Sequence, residues 1–180
     1  CSSSAHVDSL VIDGCLLHDC GDAAVYYQET DLENNVPTCS YFKMTNSTVY
    51  NINGTQYYAA IDIRENSAAY GQGGNKVIID HVTIYNYATP LGAIRVYKSP
   101  DLAITNSIIS NPTAVNYSLY IYGGTVDNTL YFNGAADSRG QYTNCLNVDP
   151  LFVDADNGNF ELMPLSPARG AATDGGDLGD

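Results

Sequence analysis

Tryptophan is absent and basic side chains are scarce: 7 Lys and Arg stand against 20 Asp and Glu in 180 residues, a net charge of −13. A field of that sign repels nucleic acid and anionic lipid surfaces, so neither is expected as a partner. No apolar run reaches the length of a membrane-spanning helix, and no such segment is expected. Stretches rich in Leu, Ala, Glu and Lys are also missing, which argues against long helices. The five cysteines, at positions 1, 15, 20, 39 and 145, form no Cys-x-x-Cys pair and no regular framework. A zinc site is therefore not indicated. Either Cys15 or Cys20 could meet Cys39. Cys1 matches the first residue of a mature lipoprotein, but a break point within a longer chain is the favoured reading. Charged residues make up 15% of the chain and apolar residues 44%, a balance that excludes general disorder. Gly, Asn, Asp, Ser and Thr are plentiful, and there are 15 Tyr. The length suits one domain spanning 1–180.

A short pattern recurs along the chain. It reads Leu10-Val11-Ile12-Asp13-Gly14-Cys15-Leu16-Leu17-His18-Asp19, then Phe42 to Asn51, Val77 to Asn86 and Leu102 to Asn111, with a weaker copy from Val126 to Asn133. Each of the first four copies is followed by a second alternating segment. These are Val25–Gln28, Ile61–Arg64, Ile94–Tyr97 and Leu119–Tyr122. Period-2 alternation with β-branched and aromatic residues predicts strands.

A single turn of such a chain cannot bury its inward face. Stacking the next turn about 4.8 Å above it pairs the strands in parallel and closes a core. The inward columns then read Leu10/Phe42/Val77/Leu102, Ile12/Met44/Ile79/Ile104, Leu17/Val49/Ile84/Ile109 and Val25/Ile61/Ile94/Leu119. Bends fall at Gly14/Asn46/His81/Asn106/Asn128 and at Asp19/Asn51/Asn86/Asn111/Asn133. Asn and Gly tolerate the left-handed conformation of a sharp bend, and stacked Asn side chains can bond along the axis. The expected fold is all-β: a right-handed single-stranded parallel β-helix of about five coils, the hand following from crossover chirality. Coils occupy 1–148, and a C-terminal cap and tail occupies 149–180.

These repeats, together with Asp149-Pro150-Leu151-Phe152-Val153-Asp154, Asn159-Phe160-Glu161-Leu162 and Leu165-Ser166-Pro167-Ala168-Arg169-Gly170, resemble the right-handed parallel β-helix proteins of the pectate lyase-like superfamily. Relatives of alginate lyase and chondroitinase B belong there, as do secreted surface proteins of polysaccharide-degrading bacteria. The resemblance covers essentially the whole chain and marks fold rather than activity. It implies a secreted, periplasmic or cell-surface protein that engages a polysaccharide or oligosaccharide. Five coils are few for such enzymes. The chain is accordingly expected to be a short β-helix domain or the C-terminal portion of a longer β-helix chain.

The outward side of the second strand carries the candidate site. One column is Tyr26/Asp62/Arg95/Tyr120 and its neighbour is Gln28/Arg64/Tyr97/Tyr122. Tyr rings offer apolar faces with a polar tip, and Arg grips carboxylates in a fork. Tyr26, Gln28, Asp62, Tyr97, Tyr120 and Tyr122 are the expected substrate-binding residues. Arg64 and Arg95 lie roughly 8 Å apart by strand geometry, near enough for one uronate to bridge them. The alternative is that Asp62 pairs with Arg95 and the tyrosines only cover the sheet. In the lyases that the chain resembles, Lys or Arg, often with Ca²⁺, carries out the elimination. On this face Arg64, Arg95 and Lys98 are the candidates for that role. Glu29, Glu65 and Lys98 stack in register; the two carboxylates could hold Ca²⁺, the one cofactor indicated, while the favoured alternative is that they are solvated, with Glu65 paired to Lys98. A hydrolase needs two convergent carboxylates, whereas this face offers Asp62 alone. Long insertions, 30–41 and 66–75, follow the site and would wall it. His81 reads as a bend residue, His18 as exposed, and His6 has no nameable partner. Asp154 to Gly158 reads as a turn rather than a calcium loop. Asn46, Asn53 and Asn116 begin glycosylation sequons, and Asn46 belongs to the internal ladder, so chance explains it best. A non-catalytic carbohydrate-binding module and a structural or adhesin segment stand beside the lyase.

Overall fold

A computed structural model describes residues 9–28, 41–54, 57–64, 76–97, 101–110, 118–134 and 139–179. Among these residues there is no α-helix. One 3₁₀ turn, Ala155–Asn157, interrupts a chain of short strands. The strands are β1 Ser9–Asp13, β2 Leu16–His18, β3 Val25–Gln28, β4 Tyr41–Ile52, β5 Ile61–Arg64, β6 Lys76–Tyr87, β7 Ile94–Tyr97 and β8 Asp101–Thr105. They continue as β9 Ile108–Ser110, β10 Leu119–Ile121, β11 Thr125–Asp127, β12 Leu130–Phe132, β13 Gln141–Thr143, β14 Phe152–Asp154 and β15 Asn159–Leu162.

Two long parallel sheets form from these strands. In the first, β1, β4, β6, β8, β11 and β13 lie side by side, and β2, β9 and β12 extend it beyond the bends. The second runs β3, β5, β7, β10, also parallel throughout. A small antiparallel pair, β14 with β15, lies in the tail. Parallel neighbours that are far apart in sequence require the chain to cross over between them, and both faces of such sheets are usually covered. The alternating residues obey this: Met44, Ile79, Ile104 and Val126 adjoin in register and are fully buried. Val25, Ile61, Ile94 and Leu119 likewise adjoin and are buried from the second sheet. Both columns join one apolar core with Phe42, Val49 and Ile84. Each fully buried aliphatic side chain there is worth about 1.5–3 kcal/mol.

The bends follow from residue type. Gly14, Asn46, His81, Asn106, Asn128 and Asn144 all adopt positive φ, between 43° and 61°. So do Asp19, Asn51, Asn86 and Asn133, while Asn111 lies outside the described residues. Asn144 marks a sixth rung that the repeat reading does not include. Its strand, β13, has only Tyr142 facing inward, so it carries little apolar signal. In the second bend column the side chains bond to one another as expected: Asn86 Nδ2 donates to Asn51 Oδ1 at 2.7 Å, and Asn51 Nδ2 to Asp19 Oδ1 at 3.1 Å. The first column differs. The residue before each bend alternates along the stack as Asp13, Thr45, Asp80, Thr105, Asp127, Thr143. Asp13 Oδ1 accepts from Thr45 Oγ1 at 2.7 Å and Asn46 Nδ2 at 2.9 Å, and Asp80 Oδ1 accepts from Thr105 Oγ1 at 2.6 Å and Asn106 Nδ2 at 2.9 Å. The Asn amides therefore reach a carboxylate on the preceding rung instead of another amide. A carboxylate makes the stronger acceptor.

The tail from Asp149 onward lies along the outer side of the first sheet. Phe160 packs on Tyr50 and Tyr85, and the Tyr85 hydroxyl donates to Asp156 Oδ1 at 2.6 Å. Ala168, Ala172 and Leu178 form a second apolar cluster with Ile108 and Leu130. Gly179 N–H and Thr173 N–H both reach Asn106, at its carbonyl and its Oδ1. Asp154 to Gly158 is a turn, closed by Gly158 at φ 81° before β15.

Candidate functional site

The outer side of the second sheet is set by alternation. Val25 and Tyr27 face the core, so Tyr26 faces away, and the register carries this alternation through each strand. Tyr26, Asp62, Arg95 and Tyr120 are direct neighbours in that order. Gln28, Arg64 and Tyr97 form the adjoining column. Tyr122, just beyond β10, packs against Tyr97 with ring centroids 4.6 Å apart.

Asp62 is the centre of this surface and is fully buried, although its strand position faces outward. Arg95 donates to Asp62 Oδ1 through Nε at 2.9 Å and Nη2 at 2.7 Å. Arg64 donates to Oδ1 through Nε at 3.1 Å and to Oδ2 through Nη2 at 3.2 Å. Ala59 N–H completes the set at 3.0 Å from Oδ2. The carboxylate that bridges the two arginines is thus the protein's own, occupying the place foreseen for a uronate. Burial pushes the Asp62 carboxyl up to about 6, against the pull of the Ala59 N–H and the Arg64 guanidinium. It remains a carboxylate at neutral pH.

Two arginine–tyrosine clusters flank this hub. The Arg64 guanidinium lies 5.2 Å from the Tyr26 ring centre and 4.9 Å from that of Tyr58, while its Nη2 also donates to Tyr57 O at 2.6 Å. Arg139 lies 4.8 Å from the Tyr120 ring centre and 4.0 Å from that of Tyr122. The Tyr120 and Tyr122 hydroxyls are 3.1 Å apart. Burial pushes the Tyr122 phenol up, as does the Tyr120 hydroxyl. Tyr26 is 44% exposed and Tyr57 79%. Cation–π contacts of this kind hold rings in fixed orientations.

Tyr57, Tyr58 and Arg139 belong to the surface but are not among the residues singled out from the sequence. They come from connecting segments, where no period exposes them. Glu29, Glu65 and Lys98 lie outside the described residues, as does almost all of both long insertions. Among the described residues no group of three or more His, Cys, Asp or Glu could hold a metal ion. Cys15, Cys20 and Cys145 carry free thiols.

The opposite sheet carries a second aromatic strip. His18 stacks on Tyr50 with ring centroids 4.8 Å apart, while Nδ1 lies 2.7 Å from Asp19 Oδ2. Beside it a cleft of about 750 Å³ is lined by Asp19, Cys20, Asn51, Asn53, Asn86 and Asp156. The tail covers the Tyr50 and Tyr85 part of this strip, so its rings serve tail packing. His81, at 3.2 Å from Asp80 and 3.6 Å from Asp174, ties a bend to the tail. No protein-family model matches the chain, and no curated protein matches it.

Proposed function

We propose that the two parallel sheets are the walls of a right-handed parallel β-helix, like those of the pectate lyase-like proteins that the chain resembles. We further propose that its second sheet binds polysaccharide on the outer side, in a secreted or surface setting. The observation that carries the binding reading is the pair of Tyr–Arg–Tyr clusters placed on one face by chain segments up to about a hundred residues apart. Sugar rings stack on aromatic faces, and exposed phenol and guanidinium groups satisfy hydroxyls at their edges. The net charge of −13 disfavours polyanionic glycans, and Asp62 already occupies the Arg64 and Arg95 forks. Neutral chains are therefore the favoured ligands.

The same geometry weighs binding above turnover. A guanidinium does not lose its proton in the accessible pH range, and here both are also engaged by a carboxylate. To act as the base of an elimination, Arg64 or Arg95 would first have to leave that pairing, which favours the binding reading. Titration against a panel of neutral and uronate polysaccharides tests the proposal. Binding of a neutral glycan that is lost in Tyr26→Ala and Tyr122→Ala, with unchanged circular dichroism, supports it. A rise in absorbance at the unsaturated-uronate band would instead establish a lyase. No binding to any glycan by a folded chain would sink both readings.

A further inference from the structure

Three Asn-Gly pairs occur in the chain: Asn53-Gly54, Asn133-Gly134 and Asn157-Gly158. In such a pair no Cβ on the second residue hinders the approach of its backbone nitrogen to the asparagine amide carbon. All three asparagines are exposed, so exposure does not choose among them. Hydrogen bonding and packing do.

Asn157 is held at both reacting groups. Its Nδ2 donates to Asp154 Oδ1 and Oδ2, each at 3.0 Å, and Gly158 N–H donates to the Ala155 carbonyl at 3.0 Å. Asn133 is a left-handed bend at φ 59°. Gly134 after it lies so close to Ser118 that a Cβ there would run into Oγ. Ser118 is buried, and its Oγ is itself fixed by accepting from the Tyr87 hydroxyl at 2.8 Å. The Asn133–Gly134 peptide therefore has no room to turn toward the side chain. Asn53 differs on each count. It is not one of the left-handed bends, and among the described residues neither its side chain nor Gly54 N–H makes a hydrogen bond. It lines the cleft of about 750 Å³ together with Asp19 and Asp156, so water reaches it. Gly54 is fixed by packing, because a Cβ there would lie 2.9 Å from the Asp22 carbonyl oxygen.

We propose that Asn53 is a self-modifying site, deamidating in the folded protein through the Gly54 nitrogen while Asn133 and Asn157 are held back. Solvent base removes the Gly54 amide proton, the nitrogen bonds to Asn53 Cγ, and the Cγ–Nδ2 bond breaks as ammonia leaves. Water then opens the succinimide ring. Opening at Cγ gives aspartate, and opening at the main-chain carbonyl gives isoaspartate. In both cases an amide and water become a carboxylate and ammonium, with no change of oxidation state. Either product adds a negative charge to the cleft beside Asp19 and Asp156. Isoaspartate also adds one backbone carbon to a connection pinned at both ends. Asn53 N–H donates to the Cys20 carbonyl at 3.0 Å at its start. Arg64 Nη2 holds the Tyr57 carbonyl at 2.6 Å and Asp62 Oδ2 holds Ala59 N–H at 3.0 Å at its end. The added carbon thus falls just ahead of Tyr57 and Tyr58. A consequence for glycan binding rests on the proposed function, whereas the modification itself does not.

The test is incubation of the 180-residue chain in mildly alkaline buffer, native and in urea, with aspartate and isoaspartate at the three positions followed by peptide mapping. The expected result is that Asn53 reacts at least about tenfold faster than Asn133 and Asn157 in the native chain, with the three rates converging in urea, where hydrogen bonds and packing no longer hold the other two. Asn53→Gln should remove the fast phase and, since the side chain is exposed, leave circular dichroism unchanged. Native rates that match at the three positions, or Asn133 or Asn157 reacting ahead of Asn53, overturn the proposal.

Discussion

Asp62 decides whether the candidate surface is organised. Its carboxylate accepts from two guanidiniums and one backbone N–H with no exposure to water. Removing it leaves the buried Arg95 without its acceptor. Asp62→Ala is expected to destabilise the fold by about 3–5 kcal/mol in urea titrations. Asp62→Asn keeps one acceptor oxygen and removes a charge that burial already disfavours, so its loss should be clearly smaller. Equal losses would show that packing rather than hydrogen bonding sets the cost. Alternation along Ile61–Arg64 places Asp62 outward, and this much is legible in the sequence. Its burial is not, because the cover comes from side chains on neighbouring strands and from the connection at Tyr57 and Tyr58. The arginine pair was readable as a carboxylate grip. That the carboxylate belongs to the protein depends on rotamers that no sequence period reports.

Strands and bends are the most readable elements. Their inward columns recur in register because neighbouring parallel strands pair residue for residue, and each left-handed bend between strands of the first sheet carries Asn, Asp, Gly or His. Substituting Asn46, at φ 46°, separates conformation from hydrogen bonding. Asn46→Val should lower stability by about 1–2 kcal/mol, since a β-branched residue resists that region. Asn46→Gly forfeits only the bond to Asp13 and should cost less in the same thermal melts. The carboxylates of the ladder set an acid limit. Burial acts to raise Asp80, but hydrogen bonds from Thr105, Asn106 and His81 outweigh it and hold the carboxyl below its ordinary value. Asp13 is lowered by Thr45 and Asn46. A folded-state value below the unfolded one makes the stabilisation complete above the ordinary carboxylate value of 3.8. It is lost as pH falls through the folded value. The melting temperature should therefore drop on acidification below about 4, and Asp80→Asn should flatten that limb. An unchanged limb in the variant would remove Asp80 from the explanation. Strand β13 goes unmarked in the sequence because Gln-Tyr-Thr has one inward residue and no period to count.

At the scale of the molecule, the stack converts distance in sequence into adjacency. Tyr26, Asp62, Arg95 and Tyr120 are spread over about half of the chain yet form one column. The tail covers one sheet, and the other keeps its tyrosine and arginine face outward. Tyr57, Tyr58 and Arg139 complete that face from connections whose lengths vary, which is why the surface is only partly legible beforehand. The most direct test of the account is amide chemical-shift mapping of the intact 180-residue chain titrated with a neutral oligosaccharide. The account predicts saturable shifts confined to residues around Tyr26, Tyr57, Arg95, Tyr97, Tyr120 and Tyr122. Shifts centred on Tyr50 and Tyr85, or none with any neutral glycan, would contradict it.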